Sequence, residues 1–299
     1  MAHVKIPNLF IVGTHKSGTT RLHNRLCLHP MIGSGRLKEP HYYTPLRYGL
    51  DLSSFDDYKR LYRADDEAQY IIDSSPSYLY GGDTIIQAIE KNHGSSVKFL
   101  CIVREPVNRF ISYYHQTKII HPSKHTATLR DFFNESSKLK DQGNKDIPVY
   151  RGLREGEYVN YLGPWLSLPS DRFKLIFFED LKKNEALLLD SVFNWLGLDS
   201  SLSEIKTVSK NAGLNVRNVK LHTYVHNLNA FASKKFSLYQ YILPFLKSIY
   251  LRINKVGDYP ERIDEDMREI IKDYYRSSNQ KLCRQLEKSN IGLPKEYLY

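Results

Sequence analysis

The chain has 299 residues, enough for one large domain or two ordinary ones. Hydrophobic residues make up 41% and charged residues 25%, proportions that exclude a collagen-like, low-complexity or wholly disordered chain and allow a sizeable core. Lys and Arg number 43 against 33 Asp and Glu, a formal net charge of +10, which favours an anionic partner: phosphate, sulfate, nucleic acid, an acidic glycan or a membrane surface. Leu9-Phe10-Ile11-Val12 is a short apolar run ending at Gly13 and reads as a buried strand. From Gly18 onward, Leu22, Leu26 and Leu28 suit a helix that ends near His29-Pro30. Tyr70 to Asp73 predicts a second strand, closed by Ser74-Ser75-Pro76, and Ile85 to Lys91 predicts a helix. Val97 to Val103 is the clearest core strand, and Pro106 suits the first turn of the helix after it. Lys138 to Pro148 reads as an exposed loop. Phe173 to Phe178 is another apolar run, and Ala186 to Leu196 has helical spacing before Gly197.

Strands alternating with helices predict an α/β fold with a mostly parallel sheet. From about residue 200 the chain turns rich in Lys, Asn and Tyr, and it ends in a long polar helix candidate, Ile263 to Leu286. With no fixed-period repeat and no long linker, the expectation is one domain over 1–299, with an α/β core over 1–200 and a mainly helical portion over 201–299 packed on it. Cys27, Cys101 and Cys283 are widely separated and lack a C-x-x-C pair, so neither a disulfide framework nor a zinc ribbon is expected. Cys101, inside the core strand, reads as a small buried hydrophobe. No signal-peptide pattern opens the sequence. The apolar stretch Leu238 to Leu251 contains Pro244 and Lys247 and is too short to span a bilayer. The expectation is a soluble, cytoplasmic protein.

The most informative segment is Gly13-Thr14-His15-Lys16-Ser17-Gly18-Thr19-Thr20, between a strand and a helix. Glycines let the backbone approach a ligand, and successive N–H groups at a helix N-terminus make an anion site. Lys16 adds a point charge, and Thr19 and Thr20 add hydroxyl donors. A Walker loop would place Gly-Lys-Ser/Thr after the second glycine, with the hydroxyl on Mg²⁺. Here Gly18 is followed by Thr19 and the lysine precedes it, so an ATPase-type metal hydroxyl is not specified. A second cluster, Arg104-Glu105-Pro106-Val107-Asn108-Arg109-Phe110-Ile111-Ser112-Tyr113-Tyr114, follows the strongest strand. Arg104 sits at a strand's carboxyl end, where open α/β sheets bind ligands. Ser112 falls in the second turn of the next helix, placed to share one phosphate with Arg104. A guanidinium fork and a hydroxyl form a natural monoester-phosphate clamp. Taken alone, Arg104 would read as half of an ion pair and Ser112 as a surface residue.

Together the two clusters resemble the nucleotide-dependent sulfotransferase family. There, K-x-G-T-T-x-L holds the 5′-phosphosulfate end of 3′-phosphoadenylyl sulfate (PAPS), and R-x-P-x-x-R-x-x-S-x-Y holds its 3′-phosphate. Lys16, Gly18, Thr19, Thr20 and Leu22 match the first motif; Arg104, Pro106, Arg109, Ser112 and Tyr114 match the second. The resemblance covers roughly residues 8–200 and more loosely the remainder. It implies a P-loop-like three-layer fold, a central mostly parallel sheet flanked by helices, with a helical C-terminal portion. It also implies PAPS as co-substrate, adenosine 3′,5′-bisphosphate as product, and donor contacts from Thr14, His15, Lys16, Ser17, Gly18, Thr19, Thr20, Arg104 and Ser112.

Within the family the resemblance is to heparan-sulfate-type and bacterial glycan members, which carry E-x-H-F-F soon after the first helix. Lys38-Glu39-Pro40-His41-Tyr42-Tyr43 stands there, implying Glu39 as general base with His41 lining the same site. A loop carboxylate paired with Lys38 or Arg36 is the plainer alternative. Small-molecule members use a histidine base ahead of the second cluster, and neither His93 nor another histidine suits that place. The family's E-K-T/S-P-x-Y aligns with Asp73-Ser74-Ser75-Pro76-Ser77-Tyr78. Ser74 therefore replaces a lysine, which leaves Lys16 to stabilise the leaving phosphate. Tyr158, Leu162 and Trp165 match Y-x-x-x-L-x-x-W, with Trp165 read as core. Arg217, in Asn211 to Arg217, is implied as a further 3′-phosphate ligand.

The expected reaction is direct in-line sulfuryl transfer to a hydroxyl of a carbohydrate, polysaccharide or glycolipid, an acidic one being favoured by the net charge. Sulfuryl transfer needs no divalent metal, and no His/Cys/carboxylate set in the sequence has metal-ligand spacing. No nucleic-acid partner is expected, and the basic aromatic stretch Lys234-Lys235 through Arg252 leaves peripheral membrane contact open. Two rivals stand beside this reading. Tyr70 to Asp73 taken as a Walker-B strand would make a P-loop kinase, which leaves the Arg104–Ser112 cluster unexplained. The 22 tyrosines with the positive charge would suit a non-catalytic module binding nucleic acid or anionic glycan.

Overall fold

The computed structural model describes residues 5–62, 67–120, 128–140, 149–203, 215–216, 255–256 and 264–299. The elements run β1 (Leu9–Gly13), α1 (Thr19–Leu26), β2 (Ile32–Ser34), α2 (Phe55–Lys59), β3 (Tyr70–Asp73), α3 (Gly82–His93) and β4 (Lys98–Val103). They continue α4 (Pro106–Ile120), α5 (Leu129–Lys140), α6 (Val159–Leu166), β5 (Phe173–Phe177), α7 (Phe178–Lys183), α8 (Glu185–Leu196), β6 (Asn215–Val216), β7 (Lys255–Val256) and α9 (Glu265–Glu287). Five strands form a sheet in the order β2-β3-β1-β4-β5, every pair parallel. An all-parallel sheet needs cover on both faces, and its strands accordingly read as continuous apolar runs.

The side-chain period of two sorts those runs into two layers. Phe10, Val12, Phe99, Cys101 and Val103 face one way and pack with Ile85 and Ile89 of α3, Trp165 of α6 and Leu282 and Leu286 of α9. Leu9, Ile11, Leu100 and Ile102 face the other way, onto Leu22 and Leu26 of α1 and Leu189, Val192, Phe193 and Leu196 of α8. The spacing 189, 192, 193, 196 is one helical face. Both ends of α8 are closed. The Asn184 side chain accepts from Leu187 N–H at the start. At the end Gly197, at φ 72°, lets Leu198 N–H reach Phe193 O at 2.9 Å.

Two compact units divide the chain: Met1–Phe110, Glu155–Val208 and Lys272–Tyr299 in the first, Ile111–Arg154 and Ser209–Ile271 in the second. The sheet and both of its packed faces belong to the first. The second holds most of α4, all of α5 and the antiparallel β6–β7 pair; within it Tyr114 and Phe132 have ring centroids 5.4 Å apart.

Several expectations change. Lys138 to Lys140 are the last turn of α5, not a loop; residues 141–148 lie outside the described set. Leu28 falls beyond α1, because the chain tightens into i→i+3 bonds, Leu28 N–H to Arg25 O and His29 N–H to Leu26 O. The basic aromatic stretch Lys234 to Arg252 and Arg217 lie outside the described residues. Among the described residues no helix is long and apolar enough to cross a membrane.

Candidate functional site

β1, β3 and β4 end side by side, and β1 and β4 flank the point where the strand order reverses. Ligands of open α/β sheets bind there, beyond the strands' carboxyl ends. The segment after β1, Thr14 to Gly18, is anchored at its start by Thr14 N–H donating to Ile102 O at 2.6 Å and across itself by the Thr14–Ser17 hydroxyl pair at 2.5 Å. Lys16 (φ 68°) and Gly18 (φ 87°) both take the left-handed conformation, the alternation that turns successive N–H groups into a concavity for anions. A side chain at Gly18 is excluded twice over, by its φ and by the Phe178 ring, which would stand 2.7 Å from a Cβ. The first α1 bond runs from Leu22 N–H to Gly18 O, so the amides of Thr19 to Arg21 belong to the helix's open first turn. That turn holds no acidic residue.

Arg104, one residue past β4, lays its guanidinium over this loop. Its Nη1 donates to Lys16 O at 3.3 Å, and its Cζ stands 4.9 Å from the Phe178 ring centroid. Tyr158, buried, accepts from Arg104 N–H at 3.4 Å and donates to Arg104 O at 2.6 Å, which fixes the backbone at that corner. Burial, and then the neighbouring Arg104, hold the Lys16 ammonium below its ordinary pKa, opposed by Glu39. Burial likewise lowers Arg104, opposed by Glu179, Tyr158 and Glu105. Among the described residues the Lys16 ammonium has no ion-pair partner. Two half-buried cations so placed form a donor set for phosphate or sulfate oxygens.

The acid lies across the loop. Lys38 to His41 are tied to the end of β3 by Ser74 N–H to Lys38 O at 3.3 Å and His41 N–H to Ser75 Oγ at 3.1 Å. The Glu39 carboxylate meets Lys38 Nζ at Oε1 and His41 Nε2 at Oε2, the latter at 3.5 Å. Burial would raise its pKa, but hydrogen bonds from His41 and Lys38, with their charges, bring it down to about 2. His15 stacks on Tyr80 with centroids 6.4 Å apart and stands 6.3 Å from the His41 ring, so the loop and the Glu39 segment share one wall.

The first unit thus brings together Thr14, His15, Lys16, Ser17, Gly18, Thr19, Arg104, Glu39 and His41. Thr20 sits on the exposed side of α1. Ser112 lies on α4, half-buried, and belongs to the second unit. Trp165 is a core residue, fully buried with Nε1 donating to Leu79 O at 3.0 Å. Asp73, the carboxylate a Walker-B strand would aim at a metal, is fully buried. It accepts from Tyr58, Tyr78 and Ser75 hydroxyls at 2.7, 3.1 and 2.6 Å. Those three donors occupy it. Sequence reading missed Phe178 and the backbone role of Tyr158. Tyr158 stood in a matched motif, but nothing in its spacing marks a hydroxyl that grips a residue 54 positions away.

Residues 7–288 match the family described as "Sulfotransferase domain". Heparan sulfate glucosamine 3-O-sulfotransferase 3A1 of Mus musculus is 29% identical over 203 residues, 67% of this chain and 48% of that protein. The bifunctional heparan sulfate N-deacetylase/N-sulfotransferase 1 of Mus musculus is 25% identical over 301 residues, 97% of this chain and 30% of that protein. The chain thus spans about half the length of the first relative and less of the second. The crystal structure of a sulfotransferase from Alicyclobacillus acidocaldarius has the same fold, with a TM-score of 0.65 at 19% identity over 95% of this chain and 96% of that one.

Proposed function

The chain belongs to the sulfotransferase domain family, and from that premise we propose that it moves a sulfuryl group from PAPS to a hydroxyl of a carbohydrate acceptor. The carrying observation is the pair of half-buried cations, Lys16 and Arg104, over an open helix N-terminus and opposite a carboxylate. That donor set fits a nucleotide bearing phosphates. The loop amides and the hydroxyls of Thr19 and Thr20 would hold its 5′ end, on a loop braced by the Thr14–Ser17 hydroxyl pair. Arg104 and Ser112 would hold the 3′-phosphate and select against ATP, an assignment supported by their motif; Arg217 is added on the same ground.

PAPS supplies the sulfuryl group and a phosphate that leaves with the bond's electrons. The residues supply position and charge, which carry most of the catalysis in the related phosphoryl transfers. Glu39 takes the proton from the attacking hydroxyl as the new S–O bond forms. Lys16 and the loop amides neutralise the charge that builds on the departing oxygen. His15 and His41 line the acceptor side. No step calls for a divalent metal. The carbohydrate acceptor is supported by the names of the relatives, which are sulfotransferases of heparan sulfate, and by the chain's positive charge.

The test is Glu39→Gln assayed in EDTA. Transfer should fall by about 10²–10⁴-fold, the range a positioned base contributes, while adenosine 3′,5′-bisphosphate still binds with the wild-type Kd. Turnover equal to wild type removes Glu39 from the role.

A further inference from the structure

The segment after β3 carries three serines, each with a different partner. Ser74 Oγ meets His23 Nδ1 at 2.7 Å, and Ser75 joins Asp73 to the His41 amide. Ser77, 2% exposed, lies 2.9 Å from His41 Nδ1 and 2.5 Å from Thr44 Oγ1. His41 itself is held at φ 53°, a conformation that a non-glycine residue keeps only where its surroundings impose it. Its backbone is held at both ends, through its N–H on Ser75 and through Thr44 N–H donating to its carbonyl at 3.0 Å. Its ring therefore has polar contacts at both nitrogens: the Ser77 hydroxyl at Nδ1, with the Thr44 hydroxyl farther off at 3.5 Å, and the Glu39 carboxylate at Nε2.

The direction of these bonds follows from donor counting. A carboxylate only accepts, and a neutral imidazole donates from one nitrogen and accepts at the other. With the proton on Nδ1, a bare Nε2 lone pair would face the negative Glu39 oxygen. With the proton on Nε2, the ring donates to Glu39, and Nδ1 is free to accept from Ser77. Ser77 in turn accepts from Thr44. Every hydroxyl proton then points toward the carboxylate.

We propose that Ser77 and Thr44 are positioning residues: a one-way chain of hydrogen bonds, Thr44 to Ser77 to His41 to Glu39, holds His41 with its proton on Nε2 and so orients the carboxylate. The catalytic part of this rests on Glu39 being the base; the chain itself does not. Lys38 occupies Oε1 and His41 donates to Oε2, so the ring plane sets which lone pair of Oε2 is left for an acceptor hydroxyl. The 3.5 Å contact is long, as such contacts often are before substrate binds. The charged or titratable groups facing His41 are Glu39, Lys38 beyond it, the His15 ring and, electrostatically, Asp73.

The tautomer is directly measurable. Long-range ¹H–¹⁵N NMR of the ¹⁵N-histidine protein, with His41 assigned among the 11 histidines by comparison with His41→Gln, is recorded without substrate at a pH above the imidazole range. The wild type should show Nε2–H at His41. Ser77→Ala should move the ¹⁵N shift of His41 Nδ1, the accepting nitrogen that loses its nearer donor, and lower kcat about tenfold, a fraction of a positioned base's contribution, with the donor KM unchanged. Ser77→Thr, which keeps the hydroxyl, should restore both. An Nδ1–H tautomer in the wild type, or an Nδ1 shift indifferent to Ser77→Ala, overturns the chain. An intact chain together with wild-type turnover in Glu39→Gln overturns its catalytic meaning and the base assignment with it.

Discussion

Glu39 rests between two donors, Lys38 on one oxygen and His41 near the other. Burial would raise its pKa, but hydrogen bonds from these two donors bring it down to about 2, which makes it a weak proton acceptor in this state. The same shift has a stability consequence. The folded value lies below the ordinary one, so the contribution is present above the ordinary carboxylate range and is lost as pH falls toward 2. Asp73 behaves oppositely. Burial raises it to about 6 against the opposing hydrogen bonds of Ser75, Tyr58 and Tyr78. The folded state then holds a proton that the unfolded chain has released, so stability falls as pH rises through that interval. Urea titrations from about pH 4 to about pH 7, a span that brackets the ordinary and shifted values, should show wild type losing stability relative to Asp73→Asn; parallel curves would refute the shift. At this scale the motifs drew attention to Lys16 and Arg104, and the family resemblance alone to Glu39, because a single charged residue reads equally well as half of an ion pair. Ser77 and Phe178 were not legible, because a serine or a phenylalanine becomes informative only once its neighbour in space is known.

Among the elements, the first turn of α4 shows how a helix start can be closed to ligands while its neighbour stays open. Glu105 accepts from Val107 N–H and Asn108 N–H, both at 2.8 Å, and from Tyr299 Oη at 2.9 Å. The carboxylate thus satisfies two orphan amides and opposes the positive end of the helix. It leaves α1, without an acidic residue or a side-chain cap, as the open N-terminus of the pair. Glu105→Ala should cost about 1–2 kcal/mol in denaturant unfolding, the range for a lost cap, with Glu105→Gln recovering part. An unchanged midpoint and slope would remove the cap from the account. The strands were read nearly to the residue, Tyr70–Asp73 fully and Val97 to Val103 one residue long, because doubly buried parallel strands are unbroken apolar runs. β2 went unseen. Its three residues include one apolar side chain and a glycine, and only pairing of Ile32 to Ser34 with Tyr70 to Ile72 makes them a strand.

For the molecule as a whole, the formal charge of +10 matters less than where two of its charges sit. Exposed lysines and arginines are screened within a Debye length of about 8 Å at physiological salt. Lys16 and Arg104 are sheltered, adjacent and aimed at one loop. The proposed activity therefore depends on that pair receiving the phosphates of the donor nucleotide. Isothermal titration calorimetry of the folded chain with adenosine 3′,5′-bisphosphate in EDTA tests this most directly. One nucleotide should bind per chain, with affinity lowered at least about tenfold by Arg104→Ala or Lys16→Ala, the loss of one charge-assisted contact. Absence of heat at millimolar nucleotide, or binding that neither substitution weakens, would contradict it.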